Sequence, residues 1–361
     1  MFQIKNLKLE NFRLHKSFFL ETNNNIICVT GRNGAGKTSI LEAISFFSKQ
    51  TGFKKAKFED IPYKKSSENC FIQADIEHKN KLFVSKIIFE KKNDKFQKKL
   101  FIENKKILDL KEYFNNTGFL WLTPSMDNIM YLGKSERRRF LDKIFSEFDN
   151  SYKENLKNIN KLLDERLILL KENKEDKWIE ILEKKICDLL WKIYLVRRDI
   201  ILDLNQILKN KVKKYSDVII LLKNKYENFD YKDNNKFLDF YLKKIFSKRE
   251  IDKTLYKNSV SPNLDEFYFI NNSTKSDSEQ SSTGEQKKIL SSLVLSFVYY
   301  FELKGLDLLI LLDELPSHFD SKNLSIFLEE IANLKFQIWI TGTDKKSFQS
   351  IENKAFFVNL D

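Results

Sequence analysis

Apolar residues fall along this chain in three rhythms, and each predicts a different element. Ile26-Ile27-Cys28-Val29 and Leu308 to Leu312 are continuous apolar runs, the pattern of strands buried on both faces. Phe71 to His78 and Leu82 to Glu90 alternate, which predicts an antiparallel hairpin turning at Lys79-Asn80-Lys81. Helical spacing takes over elsewhere. Ile40, Leu41, Ile44 and Phe47 share one face, as do Ile289, Leu290, Leu293, Val294, Phe297, Val298 and Phe301, with Gly305 as a stop. Between Ser151 and about Lys214 the spacing predicts two helices of about 25 to 35 residues, each roughly 40 to 50 Å long, on either side of a charged break at Lys171 to Lys177. Val218 to Leu222 and Phe336 to Ile340 are further strands, and Asn271 to Ser282 is a polar loop.

Composition narrows the class. A chain of 361 residues with 42% hydrophobic content is long enough for about two cores, which excludes disordered and fibrous proteins. No apolar run approaches the ~20 residues of a membrane span, and the charged start lacks the apolar segment of a secretory signal. Cys28, Cys70 and Cys187 lie far apart with no CxxC pair, which argues against a disulfide framework or a zinc site and fits the cytoplasm. Sixty-three Lys and Arg against 51 Asp and Glu leave +12, which suits a polyanionic partner without identifying one.

The chain has only nine glycines, and three of them fall within Gly31-Arg32-Asn33-Gly34-Ala35-Gly36-Lys37-Thr38. This segment satisfies G-x-x-x-x-G-K-[ST], and it lies between the first buried strand and the first helical face, the order a phosphate-binding loop needs. The glycines let backbone N–H groups turn toward phosphate oxygens, and the helix N-terminus adds its dipole. Lys37 would reach the β- and γ-phosphates, and the Thr38 hydroxyl would ligate Mg²⁺. All eight residues are candidate ATP contacts.

A second site lies far downstream. Leu308 to Leu312 ends in Asp313-Glu314, where Asp313 would hold Mg²⁺ and Glu314 would polarise the attacking water. Leu315-Pro316-Ser317-His318-Phe319-Asp320 resembles the D-loop of ABC-type ATPases, with His318 read as an interface or surface residue. Some 30 residues upstream, Ser282-Thr283-Gly284-Glu285-Gln286 resembles their LSGGQ signature, with Glu285 at the second glycine's position. The resemblance makes Ser282, Thr283, Gly284 and Gln286 contacts for the nucleotide of another subunit. About 250 residues separate the phosphate loop from this signature, a far longer gap than transporter-type domains have.

Within that class the chain resembles the RecF family of bacterial recombinational-repair ATPases. Leu7-x-Leu9-x-Asn11-Phe12-Arg13, then Trp121 to Asp127, Gly133 to Asp142 with its Arg137-Arg138-Arg139-Phe140-Leu141-Asp142 block, and Trp339 to Asp344 follow the family's order over nearly the whole chain. Two departures stand out. Ser261-Pro262-Asn263-Leu264-Asp265-Glu266 replaces G-P-H-R-D-D, and no switch histidine follows the strand at Phe336 to Ile340, so Thr341 or Thr343 would sense the γ-phosphate.

The expected fold is an α/β ABC-type P-loop ATPase head built from both chain ends, 1–105 with 275–361, and an inserted, mostly helical lobe at 106–274. The resemblance implies ATP and Mg²⁺ as ligands, slow hydrolysis, and an ATP-dependent homodimer that clamps DNA at single-strand gaps and on duplex. It also implies RecR and RecO as partners, with no membrane. Glu314 and Lys37 would be catalytic. Lys54, Lys55 and Lys57 are candidate DNA contacts. Arg137, Arg138 and Arg139 either face DNA or pair with Glu136 or Asp142. The aromatic residues read as core, with no stacking platform. A transporter's ATPase subunit and an ATP-binding scaffold without turnover are the rival readings.

Overall fold

A computed structural model describes residues 1–48, 52, 57–63, 69–92, 95–114, 116–130, 133–213, 215–224 and 233–361. They form two compact units, Met1–Asp127 with Phe301–Asp361, and Asn128–Tyr300.

In the first unit, β1 (Phe2–Phe12), β2 (His15–Glu21) and β3 (Ile26–Thr30) lead into helix α1 (Lys37–Ser45). Then come β4 (Cys70–His78), β5 (Lys81–Lys92), β6 (Lys95–Ile102), β7 (Lys105–Ile107) and β8 (Thr117–Leu122). The hairpin predicted from alternation is β4–β5, turning on Lys79 and Asn80, both at positive φ, as a two-residue turn requires. Six strands form an antiparallel sheet in the order β2-β1-β4-β5-β6-β7. Inward residues alternate along it, so Cys70, Ile72, Ala74 and Ile76 are buried while their neighbours are half-exposed. Lys98 is an exception on β6: its ammonium donates to the Phe46 carbonyl at 3.1 Å, and burial pushes it down to about 8.

The second unit carries α2 (Lys134–Phe148), α3 (Asn150–Lys171), α4 (Asp176–Ile207), β9 (Val218–Lys223), α5 (Asn234–Ser247), α6 (Arg249–Leu255), β10 (Glu266–Asn271) and most of α7 (Thr283–Leu303). The two long helices differ more than their periodicity suggested: α3 has 22 residues, about 33 Å, and α4 has 32, about 48 Å. Asp149 caps α3 by accepting from the Ser151 and Tyr152 N–H groups, which fixes its start. β9 and β10 form a two-stranded antiparallel sheet, and β10 lacked a clear signal because its alternation covers only Phe267 and Phe269.

The chain then returns to the first unit with β11 (Asp307–Leu312), α8 (Ser321–Ala332), β12 (Gln337–Gly342) and β13 (Ala355–Asn359). These strands pair in parallel as β13-β3-β12-β11-β8. Ile40, Leu41, Ala43 and Ile44 of α1 share one core with residues from both sheets. A single buried amide also ties the sheets together. β2 pairs with β1 only from Asn6 onward, so the free edge at Ile4 is taken by Gln337, which accepts from its N–H at 2.8 Å and donates to its carbonyl at 2.9 Å.

The inserted unit begins at Asn128 rather than 106 and ends at Tyr300 rather than 274. The first shift arises because β7 pairs with β6 and β8 with β11, so 106–127 stays with the sheets. The second arises because α7 packs on α2, with Phe297 against Phe140 at 6.1 Å and Tyr300 against Phe148 at 4.2 Å between ring centroids.

Two buried arginines organise the second unit. Arg197, fully buried, donates to Asp142 at 2.8 and 3.0 Å, to Asp265 at 2.6 Å, to the Pro262 carbonyl at 2.9 Å and to Tyr152 at 2.7 Å. Arg166, also fully buried, reaches Glu183 at 2.9 Å and Asp252 at 2.7 Å. Burial pushes the Asp265 carboxyl up to about 6 against the pull of Arg197. Cys28, Cys70 and Cys187 are buried free thiols, which burial pushes up to about 12. Replacing Arg197 with Met would strand two buried carboxylates. The expected loss is about 3–5 kcal/mol of stability, read as a lower midpoint in urea unfolding; an unchanged midpoint contradicts this role.

Candidate nucleotide site

β3 delivers the chain into the glycine loop, where Gly31, Gly34 and Gly36 adopt φ of +144°, +86° and +98°, a region that L side chains rarely enter. Gly36 caps α1 without a side chain, leaving the first N–H groups of the helix available to an anion. The Lys37 ammonium folds back across the loop and donates to the Gly31 carbonyl at 2.6 Å and the Arg32 carbonyl at 2.8 Å. It is therefore held over the space that phosphates would fill.

Parallel pairing carries β11 and β12 to the same end of the sheet. There one oxygen of the buried Asp313 carboxylate accepts from Thr38 Oγ1 at 3.0 Å and from Thr341 Oγ1 at 2.9 Å. Thr341 Oγ1 also accepts from the Glu314 N–H at 2.7 Å. Both capacities of that hydroxyl are used, and it is fully buried, so Thr341 braces the carboxylate pair; Thr343 is exposed. Glu314 is itself in the left-handed region, φ +50°, with an exposed side chain. A non-glycine residue there costs on the order of 1 kcal/mol, and the Thr341 bond helps hold it.

Three supports of the loop lie outside the glycine motif, and of their residues Arg13 stood in a stretch that carries the family resemblance. His15 on β2 lies beneath the loop, its Nε2 3.1 Å from the Gly36 carbonyl, which can only accept, so the ring nitrogen carries the proton. A Cβ at Gly36 would sit 2.6 Å from that nitrogen, so the ring's position requires glycine there. Burial lowers the His15 pKa, opposed by the bond to Gly36, and burial likewise lowers His78 against the pull of Asp307. Arg13 makes a paired contact of 2.6 and 2.9 Å with Glu42, a buried carboxylate on α1. The Asp361 carboxylate accepts from the Arg32 N–H at 2.8 Å and from its guanidinium at 3.2 Å.

The signature belongs to the second unit. Ser282 and Glu285 form a reciprocal cap at the start of α7: Ser282 N–H and Oγ donate to Glu285 Oε2 at 3.0 and 3.1 Å. This explains the carboxylate where the family resemblance called for glycine. Ser282, Thr283 and Gly284 are exposed, whereas Gln286 is buried and donates to the Ser278 and Ser281 carbonyls at 3.1 Å each. The preceding loop is anchored by Arg137, which reaches Asp277 at 3.2 Å and Glu279 at 2.6 Å. Arg137 and Arg138 are buried, Arg138 donating to the Asn263 carbonyl, and the exposed Arg139 pairs with Glu136 at 2.7 Å. Each of the three is paired, Arg137 with Asp277 and Glu279 rather than with Glu136 or Asp142. Lys57 is exposed, while Lys54 and Lys55 lie outside the described residues.

The donor set fits a nucleotide and its cation. Thr38 and Asp313 supply two hard oxygens, as Mg²⁺ prefers when phosphates complete its shell, and the glycine cradle with Lys37 suits those phosphates.

Residues 3–359 match the RecF/RecN/SMC N terminal domain family. The DNA replication and repair protein RecF of Rickettsia felis is 30% identical over 361 residues, covering 99% of this chain and 98% of that protein. Its counterpart in Rickettsia canadensis is also 30% identical, covering 99% of each. A solved structure of the recombination mediator protein RecF-ATP in the RecFOR pathway superimposes with a TM-score of 0.83 at 23% identity, covering 99% and 98%. The Smc head domain of Pyrococcus furiosus, bound to the C-terminal domain of ScpA, gives 0.54 at 14% identity, covering 97% and 92%. Both support the fold.

Two outcomes are expected. Thr341→Val removes the brace on Asp313 and Glu314, and turnover should fall at least tenfold while nucleotide affinity changes less, measured by steady-state hydrolysis and equilibrium titration. The folded state favours neutral His15 and His78, so the stability they give is present above about pH 6.5 and lost as pH falls below it. Asp265, raised to about 6, pulls the other way in this window, so the check is the difference between two proteins: thermal melts between about pH 7.5 and 5.5 should show a smaller acid loss for His15→Gln than for the wild type.

Proposed function

The chain belongs to the RecF/RecN/SMC N terminal domain family, among the RecF proteins of DNA replication and repair, and we propose that ATP gates its hold on DNA. Its head is of the ABC ATPase type. Two subunits close over two ATP molecules, each phosphate loop facing the partner's signature. Closure forms a basic surface that holds DNA at single-strand gaps and on duplex without reading its sequence.

Within each subunit, Gly31 to Thr38 cradle the phosphates, with Arg32, Asn33 and Ala35 contributing backbone groups. Lys37 exchanges its two loop carbonyls for β- and γ-phosphate oxygens. Thr38 and Asp313 hold Mg²⁺, which when bound offsets phosphate charge. Glu314 takes the proton of the attacking water as its oxygen bonds to the γ-phosphorus and the bond to ADP breaks. From the partner, Ser282, Thr283 and Gly284 meet the γ-phosphate, and Gln286 shapes that loop from beneath. Hydrolysis is slow because the hydroxyl at the switch position, Thr341, is committed to Asp313 and Glu314.

Lys57, with Lys54 and Lys55, contacts DNA; RecR and RecO are the partners, and the protein works in the cytoplasm. Among the described residues no helix is long and apolar enough to cross a membrane. The observation that carries the proposal is the sharing of Asp313 between Thr38 of the loop and Thr341 beside Glu314.

Subunit mass with ATP and gapped duplex tests it. Glu314→Gln should trap an ATP-dependent dimer on DNA, and Lys37→Met should stay monomeric and unbound. Equal DNA binding by both variants and the wild type as monomers would overturn ATP gating and leave a scaffold.

A further inference from the structure

The outer face of the six-stranded antiparallel sheet departs from the expectation that the aromatic residues are core. Strand register places one row across all six strands: Phe19 on β2, Lys8 on β1, Gln73 on β4, Lys86 on β5, Phe101 on β6 and Lys106 on β7. Their sequence neighbours Leu7, Leu9, Ile72, Ala74, Ile87 and Ile102 point into the core, so this row points out. Phe19 is 61% exposed, and Phe101 is half-exposed. The next row adds Phe71, also half-exposed, opposite Glu10.

Charge and rings are interleaved here. The Lys86 ammonium sits 4.2 Å from the centre of the Phe71 ring and that of Lys8 5.6 Å from it. The first row holds three lysines and no carboxylate. Glu10, in the next row, is paired with Lys8 at 2.7 Å. Strands lie about 4.8 Å apart and successive rows about 7 Å, so Phe71 lies roughly 12 Å from each of Phe19 and Phe101, with Lys8 and Lys86 on the strands between them.

We propose that this face is a stacking platform for single-stranded nucleic acid. Bases of a single strand have free faces to lie on the phenyl rings, and the lysines meet the phosphates between them. A duplex keeps its base faces stacked inside and gains nothing from the rings. The platform stands apart from the nucleotide cycle: none of its residues belongs to the phosphate loop, the Asp313 cluster or the signature. It gives the protein a hold on the unpaired strand that needs no ATP.

The test is fluorescence anisotropy of labelled oligothymidine and of a duplex, without nucleotide, so that failure here leaves the ATP gate untouched. The wild type should bind oligothymidine. Phe19→Ala and Phe101→Ala should each weaken it about tenfold with little change on duplex, and Phe101→Trp should restore binding. Lys86→Gln should reduce the slope of log affinity against log salt by about 0.7, whereas the ring variants should leave the slope unchanged. The substituted side chains are at the surface, and unchanged melting temperatures check the fold. Ring variants that bind like the wild type, or that lose strand and duplex equally, overturn the proposal. If the wild type ignores oligothymidine, the platform is likewise excluded, and the aromatic row is a protein-docking face.

Discussion

One oxygen of the Asp313 carboxylate is the point at which three segments, distant in sequence, meet. Thr38 opens the helix after the phosphate loop, Asp313 ends β11, and Thr341 lies on β12, so the bonds of 3.0 and 2.9 Å close a link over 275 and 28 residues. A buried carboxylate needs such donors, because leaving it unpaired costs several kcal/mol. The same link extends to the Glu314 N–H through Thr341, at 2.7 Å, and keeps a strained residue in place. In the proposed cycle, nucleotide affinity and hydrolysis would draw on this one hydrogen-bonded chain. The parallel order β3-β12-β11 is what brings its members together.

The second unit is built on a different principle. Arg166 and Arg197 are buried among carboxylates, with nearly every donor used, and such clusters confer a defined arrangement more than net stability. What remains of the G-P-H-R-D-D block meets Arg197: the Asp265 carboxylate and the Pro262 carbonyl both accept from it. Arg137 performs a similar service for the loop before the signature, through Asp277 and Glu279. Arg137 therefore acts as scaffold for the segment that opens α7.

The motifs were legible because their chemistry imposes residue type and order. Three glycines, Lys37 and Thr38 after a buried strand admit few alternatives, and Leu308 to Glu314 announced its carboxylates. Periodicity likewise gave the β4–β5 hairpin and the two long helices. What stayed hidden was pairing between distant segments. Nothing local marks His15 as the support of Gly36, Gln337 as the partner of Ile4, or β8 as a neighbour of β11. The outward phenylalanines were missed for the same reason. Phe18 and Phe19 are adjacent in sequence, and only the register with Leu9 and Lys8 shows which of them faces water.

The most direct test of the Asp313 link is nucleotide affinity with and without magnesium, for the wild type and for Asp313→Asn. The wild type should bind ATP much more tightly with magnesium than with a chelator, and the variant should show little difference between the two. A variant that keeps the full magnesium dependence would contradict a role for Asp313 in joining the phosphate loop to Thr341 and Glu314 around the cation.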